Sequence, residues 1–103
     1  MAGVATYEFT GEVWQWDARK SDGWFFVSLP DELADDIDAA HGHRAAGFGS
    51  LRVDVAIGTS RWQTSIFPDS KRGTYVLPLK QAVRTREGLA VGAPATVALT
   101  VIA

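Results

Sequence analysis

At 103 residues and 47% hydrophobic content the chain has the apolar mass for one core, since a domain of this size buries roughly 60 to 70% of its unfolded surface, and it is read as a single domain over residues 1–103. It contains no cysteine, which excludes disulfides, thiolate nucleophiles and cysteine-ligated metals. A net charge of −2 and a pI near 5.5 weigh against nucleic acid as the partner, because phosphate contacts usually go with a domain pI above about 9; the start MAGVATYEF and the lack of any apolar run near the roughly 20 residues that span a bilayer imply a cytoplasmic protein with no membrane contact.

Residues 6–16, TYEFTGEVWQW, predict a strand with Tyr7, Phe9 and Val13 on one face. Trp14 and Trp16 fall on the other face, and the change of phase near Gly11 predicts a β-bulge there. DARKSDG, residues 17–23, is polar turn chemistry. WFFVSL after it reads as a second strand, buried on both faces and paired with the first as a hairpin. Pro30 stands where a first helical residue belongs. Asp31 and Glu32 follow it, and Leu33 and Ile37 lie one turn apart, so a helix is expected as far as HGH at residues 41–43.

The clearest strand is LRVDVAI, residues 51–57, with Leu51, Val53, Val55 and Ile57 inward and Arg52, Asp54 and Ala56 outward. GTS turns it into RWQTSIF, residues 61–67, a strand that Pro68 is expected to close. TYVL at 74–77 predicts a fifth strand, residues 78–87 a second helix with Gly88 as its left-handed terminator, and ATVALTVI at 95–102 the last strand. The predicted core joins Tyr7, Phe9, Val53, Val55, Ile57, Val97, Leu99 and Val101.

The two halves repeat one plan: strand, Leu-Pro, helix, glycine loop, strand, with Leu29-Pro30 matched to Leu77-Pro78. A mainly β fold follows, a small six-stranded barrel, closed or partly open, with quasi-two-fold symmetry and a short helix over each end.

The segment RWQTSIFPDSKRGTYVLPLKQAVRTREGLAVGA carries Trp62, Thr64-Ser65, Phe67-Pro68, Tyr75, Leu77-Pro78, Lys80, Val83-Arg84, Gly88 and Val91-Gly92. With the aromatic opening strand and FFVSLP, these elements resemble the bacterial domain-of-unknown-function family nineteen-oh-five. The resemblance implies a small β-barrel with no assigned activity. Its strand-Leu-Pro-helix-Gly units are also similar to those of swapped-hairpin antitoxin and transition-state regulators, many of which bind DNA as dimers; here two such units would lie in one chain.

Among motifs that carry chemistry, His41 and His43 match no metal-ligand spacing, and a solvated helix-end loop accounts for both. GFGS, residues 47–50, opens no helix and lacks a phosphate-loop lysine, so a plain turn is expected. No serine sits in a glycine elbow. No catalytic residue, metal or cofactor is therefore assigned, and the reading leans away from an enzyme. The four tryptophans offer flat faces on which a sugar or a base could stack, but in a domain this small core or barrel-end positions are expected for them, and Trp14, Trp16 and Trp24 are placed to cluster across the first hairpin.

Charge is polarised along the chain. Residues 70–86 hold Lys71, Arg72, Lys80, Arg84 and Arg86 without an acid, whereas residues 31–38 hold five acids without a base. The ligand-binding residues expected from this pattern and from the resemblance are Trp62, Thr64, Ser65, Phe67, Tyr75, Lys80 and Arg84. Trp62 and Thr64 share one strand face and Ser65 and Phe67 the other, so only one pair can line a given cavity. Lys80, Arg84 and the Ser65 hydroxyl together would make an anion site. The function expected is a non-catalytic module for a small anionic ligand or a protein partner, acting as a monomer or weak homodimer. A swapped-hairpin nucleic-acid regulator and an enzyme with an unrecognised site are the alternatives.

Overall fold

The computed structural model describes residues 6–16, 24–45 and 49–102. Six strands, β1 (Thr6–Trp16), β2 (Trp24–Ser28), β3 (Leu51–Ile57), β4 (Ser60–Asp69), β5 (Thr74–Pro78) and β6 (Pro94–Val101), and two helices, α1 (Asp31–His41) and α2 (Gln81–Glu87), follow one another along the chain. The strands close into a barrel in the order β1-β2-β5-β4-β3-β6, every neighbouring pair antiparallel. Each of the two long strands changes partner midway, β1 from β6 to β2 after Glu12 and β4 from β3 to β5 after Ile66, and this exchange is what joins the two ends of the sheet into a ring.

Period-two alternation decides what fills the interior. Val53 and Val55 on β3, Val97 and Leu99 on β6, Val27 on β2, Ile66 on β4 and Leu77 on β5 are all buried, and each such side chain contributes about 1.5–3 kcal/mol by leaving water. At the ends, Ala34 and Ile37 of α1 and Val83 of α2 join the same cluster. The predicted core residues are buried except Tyr7, which packs half-exposed at its margin. No helix among the described residues is long and apolar enough to cross a membrane.

Several local expectations are corrected. β1 has no bulge at Gly11: it pairs with β6 in unbroken register from Thr6–Thr100 to Glu12–Pro94 and with β2 from Val13–Val27 to Trp16–Trp24. Odd-numbered residues face inward throughout, so Trp14 and Trp16 simply occupy the outer face. Gly11 serves a close approach instead, where β1 passes from one partner to the other. A Cβ there would lie 2.7 Å from Val27 Cγ1 and 3.3 Å from the Ser28 carbonyl oxygen. β2 is not buried on both faces either, for Val27 is buried while Trp24 is exposed.

Pro68 does not end β4, which continues to Asp69. Proline lacks only a donor, and Pro68 faces Tyr75, whose carbonyl points the other way to accept the Leu29 N–H at 3.0 Å; the ladder asks nothing of the Pro68 nitrogen. Pro78 is the last residue of β5 rather than the first of α2, which begins at Gln81 after Lys80 as its cap. Gly88 does end α2 in the left-handed conformation, at φ 68°.

This shift moves the repeat. The Leu79 N–H donates to Phe25 C=O at 2.8 Å and the Leu29 N–H to Tyr75 C=O at 3.0 Å, so Leu29 is matched by Leu79 and Pro30 by Lys80. On that alignment the β2–β5 pairs Phe26–Pro78 and Val76–Ser28 exchange about Val27–Leu77. Across the barrel, the β3–β6 ladder centres its own exchange on Ala56–Ala98. The quasi-two-fold axis runs through these two contacts.

α2 is pinned to the β3–β4 turn by a carboxylate. Glu87 Oε2 accepts from Ser60 Oγ at 2.7 Å and Thr59 Oγ1 at 3.1 Å, which satisfies Ser60, the one buried polar residue among those described. The Ser60 hydrogen bond, foremost, holds the Glu87 pKa below the ordinary glutamate value. Gly58 makes room for the carboxylate: its φ is 57°, and a Cβ there would collide with Glu87 Oε1.

Candidate functional site

The outward positions of β1, β2, β5 and β4 carry an aromatic surface. Register sets Trp14 opposite Phe26 and Trp16 opposite Trp24, the cluster expected across the first hairpin. Trp14 and Phe26 stack at 5.0 Å with 29° between planes, and Phe26 and Trp24 at 6.4 Å and 14°, within the 4.5–7 Å range of favourable ring pairs. The Trp14 indole N–H donates to Ser28 Oγ at 2.9 Å. Arg72, at the tip of the β4–β5 hairpin, lays its guanidinium 3.5 Å over the Trp14 ring and pairs with Asp69 at 3.8 Å. Trp16 is 56%, Trp24 63% and Phe67 42% exposed, so none of the described residues covers this face. It forms a shallow groove of about 470 Å³.

A second groove of about 390 Å³ adjoins it where α2 meets the barrel. Trp24 and Pro78 line both. Its remaining walls are Phe25 from β2, Trp62, Gln63 and Thr64 from β4, and Leu79, Lys80, Gln81 and Arg84 from the approach to α2. Arg84 is held in two ways: its Cζ lies 3.7 Å from the Phe25 ring centre, and its Nε donates to the Leu79 carbonyl at 3.3 Å. No carboxylate among the described residues pairs with Arg84 or Lys80. A guanidinium held by one face and by Nε keeps its terminal N–H groups available for a ligand.

Of the seven site residues expected from sequence, Trp62, Thr64, Lys80 and Arg84 meet in this second groove. Phe67 lies on the outer face of β4 and lines the aromatic groove instead. Ser65 is half-buried on that same outer phase of β4 and lines neither groove, so the trio with Lys80 and Arg84 is not assembled. Tyr75 turns into the α1 end of the barrel, buried, where its hydroxyl donates to Asp38 Oδ1 at 3.3 Å. Burial first and the Asp38 charge second push its pKa above the ordinary tyrosine value.

Trp24, Phe25, Gln63, Pro78, Leu79 and Gln81 complete the groove without having been expected in it. Strand alternation does not mark them, because Trp24 and Phe25, and Gln63 beside Trp62 and Thr64, are of opposite phase yet line one groove, and only barrel closure brings β2 beside β5. His41 is not in a solvated loop: it ends α1 half-buried, edge-on to Tyr7 at 6.5 Å, with Nδ1 buried and without a hydrogen-bond partner among the described residues. His43 is exposed in the 3₁₀ turn that follows. No group of three His, Asp or Glu side chains among the described residues is placed to hold a metal ion. The turn expected at residues 47–50 falls partly, and that at 17–23 wholly, outside the described residues.

A protein-family model described as "Domain of unknown function (DUF1905)" matches residues 9–99. The matched span begins in β1, ends in β6 and takes in both grooves. No curated protein matches the sequence.

Proposed function

We propose that this chain, which belongs to the DUF1905 family of domains of unknown function, is a non-catalytic binding module that takes a small anionic ligand in the groove between Trp62 and Arg84. The observation that carries this reading is the state of Arg84, fixed by Phe25 and the Leu79 carbonyl yet without an acid partner among the described residues. An arginine whose conformation is set in advance loses little freedom when a carboxylate or phosphate docks on its free edge. Lys80 supplies a second charge in the same cavity. The volume lies within the roughly 300–1,000 Å³ usual for small-molecule sites. Among the described residues the lining offers amides, a hydroxyl and cations but no carboxylate or imidazole to act as a general base, which favours binding over turnover.

Titration of the whole chain with inorganic phosphate and with acetate, at low and moderate salt, tests the reading. Saturable binding that weakens with salt and is lost in a Lys80→Ala, Arg84→Gln double variant is expected. Equal behaviour of the two proteins toward both anions would sink it.

A further inference from the structure

Four planar groups follow one another across the outer face. The Arg72 guanidinium lies on Trp14, Trp14 stacks on Phe26, and Phe26 stacks on Trp24. One end of this ladder is closed, because Arg72 covers Trp14 and is itself paired to Asp69. The other end is open among the described residues. Trp24 carries no further ring contact among the described residues, stays 63% exposed, and lines the Arg84 groove as well as the aromatic one. Arg84 and Lys80 line the second groove together with Trp24.

We infer that the groove takes a planar aromatic anion: a flat ring bearing a carboxylate or phosphate, laid on Trp24 as the next rung, with its anionic group held by Arg84 and Lys80. The inference rests on the anion site proposed above and adds the ring to it. A bare anion would engage the cations and leave the indole face in water. A neutral ring would stack and leave Arg84 without a partner. Only a ligand with both parts uses both features, and ring stacking on an aromatic side chain adds affinity equivalent to about 1–3 kcal/mol, or roughly five- to 150-fold. Arg84 is suited to its part because its π-face is already spent on Phe25, which directs its N–H edge to a ligand oxygen. Gln63, Thr64 and Gln81 line the same cavity and can pair with polar atoms on the edge of the ring.

The test uses the full chain and three kinds of probe, followed by calorimetry and by indole fluorescence. Phenyl phosphate and indole-3-carboxylate carry ring and charge, inorganic phosphate and acetate carry charge alone, and indole carries the ring alone. Each ringed anion is expected to bind at least about tenfold more tightly than its bare counterpart. Trp24→Leu should abolish that margin while leaving inorganic phosphate within about twofold, and Trp16→Leu, which alters the aromatic face outside this groove, should preserve it. Arg84→Gln should weaken all the anions. Equal affinity for ringed and bare anions, or a margin that survives Trp24→Leu or disappears with Trp16→Leu, would overturn the ring while the anion site stood. Failure of every anion to bind would remove both.

Discussion

Val27 faces Leu77 at the midpoint of the β2–β5 ladder, and the two halves of the chain exchange about that contact. Both side chains are fully buried, so the symmetry axis of the barrel passes through its core. Leu77→Ala is expected to cost about 2–5 kcal/mol by lost transfer energy and the cavity left behind, measured by denaturant unfolding. A loss below about 1 kcal/mol would mean that the β2–β5 seam is not where the halves are held together.

Gly11 is predicted to be intolerant of any side chain because its inward position is already filled by Val27. Gly11→Ala should destabilise by about 1–3 kcal/mol through overpacking. In the Val27→Ala background the same change should cost clearly less, since the γ-methyl it meets is gone. Strict additivity in that double-mutant cycle would refute the close approach.

Glu87 makes stability depend on pH. Its folded pKa is depressed by the Ser60 and Thr59 hydroxyls, so the unfolded chain takes up its proton first as pH falls. The stabilisation is fully present above the unfolded glutamate pKa, about 4.3, and is lost as pH falls through the folded value. Wild type should therefore exceed Glu87→Gln in melting temperature at neutral pH by a margin that closes in acid. A margin that stays constant down to the acid limb would show that the carboxylate charge is not what Ser60 recognises.

Tyr75 runs the opposite way. Its folded pKa is raised by burial and by Asp38, so its contribution holds below the unfolded tyrosine pKa, about 10, and is lost as pH rises through the folded value. Alkaline spectrophotometric titration of the two tyrosines should show a late step that vanishes in Tyr75→Phe. Disappearance of an early step instead would place Tyr75 in solvent rather than against α1.

Much of the barrel was legible in the residues because burial on a strand has period two and burial on a helix does not. LRVDVAI could sit only one way, with Leu51, Val53, Val55 and Ile57 inside, and Gly88 could end α2 because a left-handed residue carries its own signature. β1 was harder for a physical reason: Phe9 and Val13 alternate against Trp14 and Trp16, both sets are apolar, and alternation says which side chains share a face but not which face is the inside.

The repeat was visible as a plan, yet its alignment was decided by hydrogen bonds between strands far apart in sequence. The Leu79 N–H finds Phe25 and the Leu29 N–H finds Tyr75, which moves the match from Leu77 to Leu79. The candidate site divides in the same way. Lys80 and Arg84 are neighbours by helix spacing alone, and alternation on β4 keeps Trp62 with Thr64 and away from Ser65. Trp24 and Phe25 reach those cations only because β2 closes against β5, a neighbourhood set by where the whole set of strands can bury its apolar faces and pair its backbone at once.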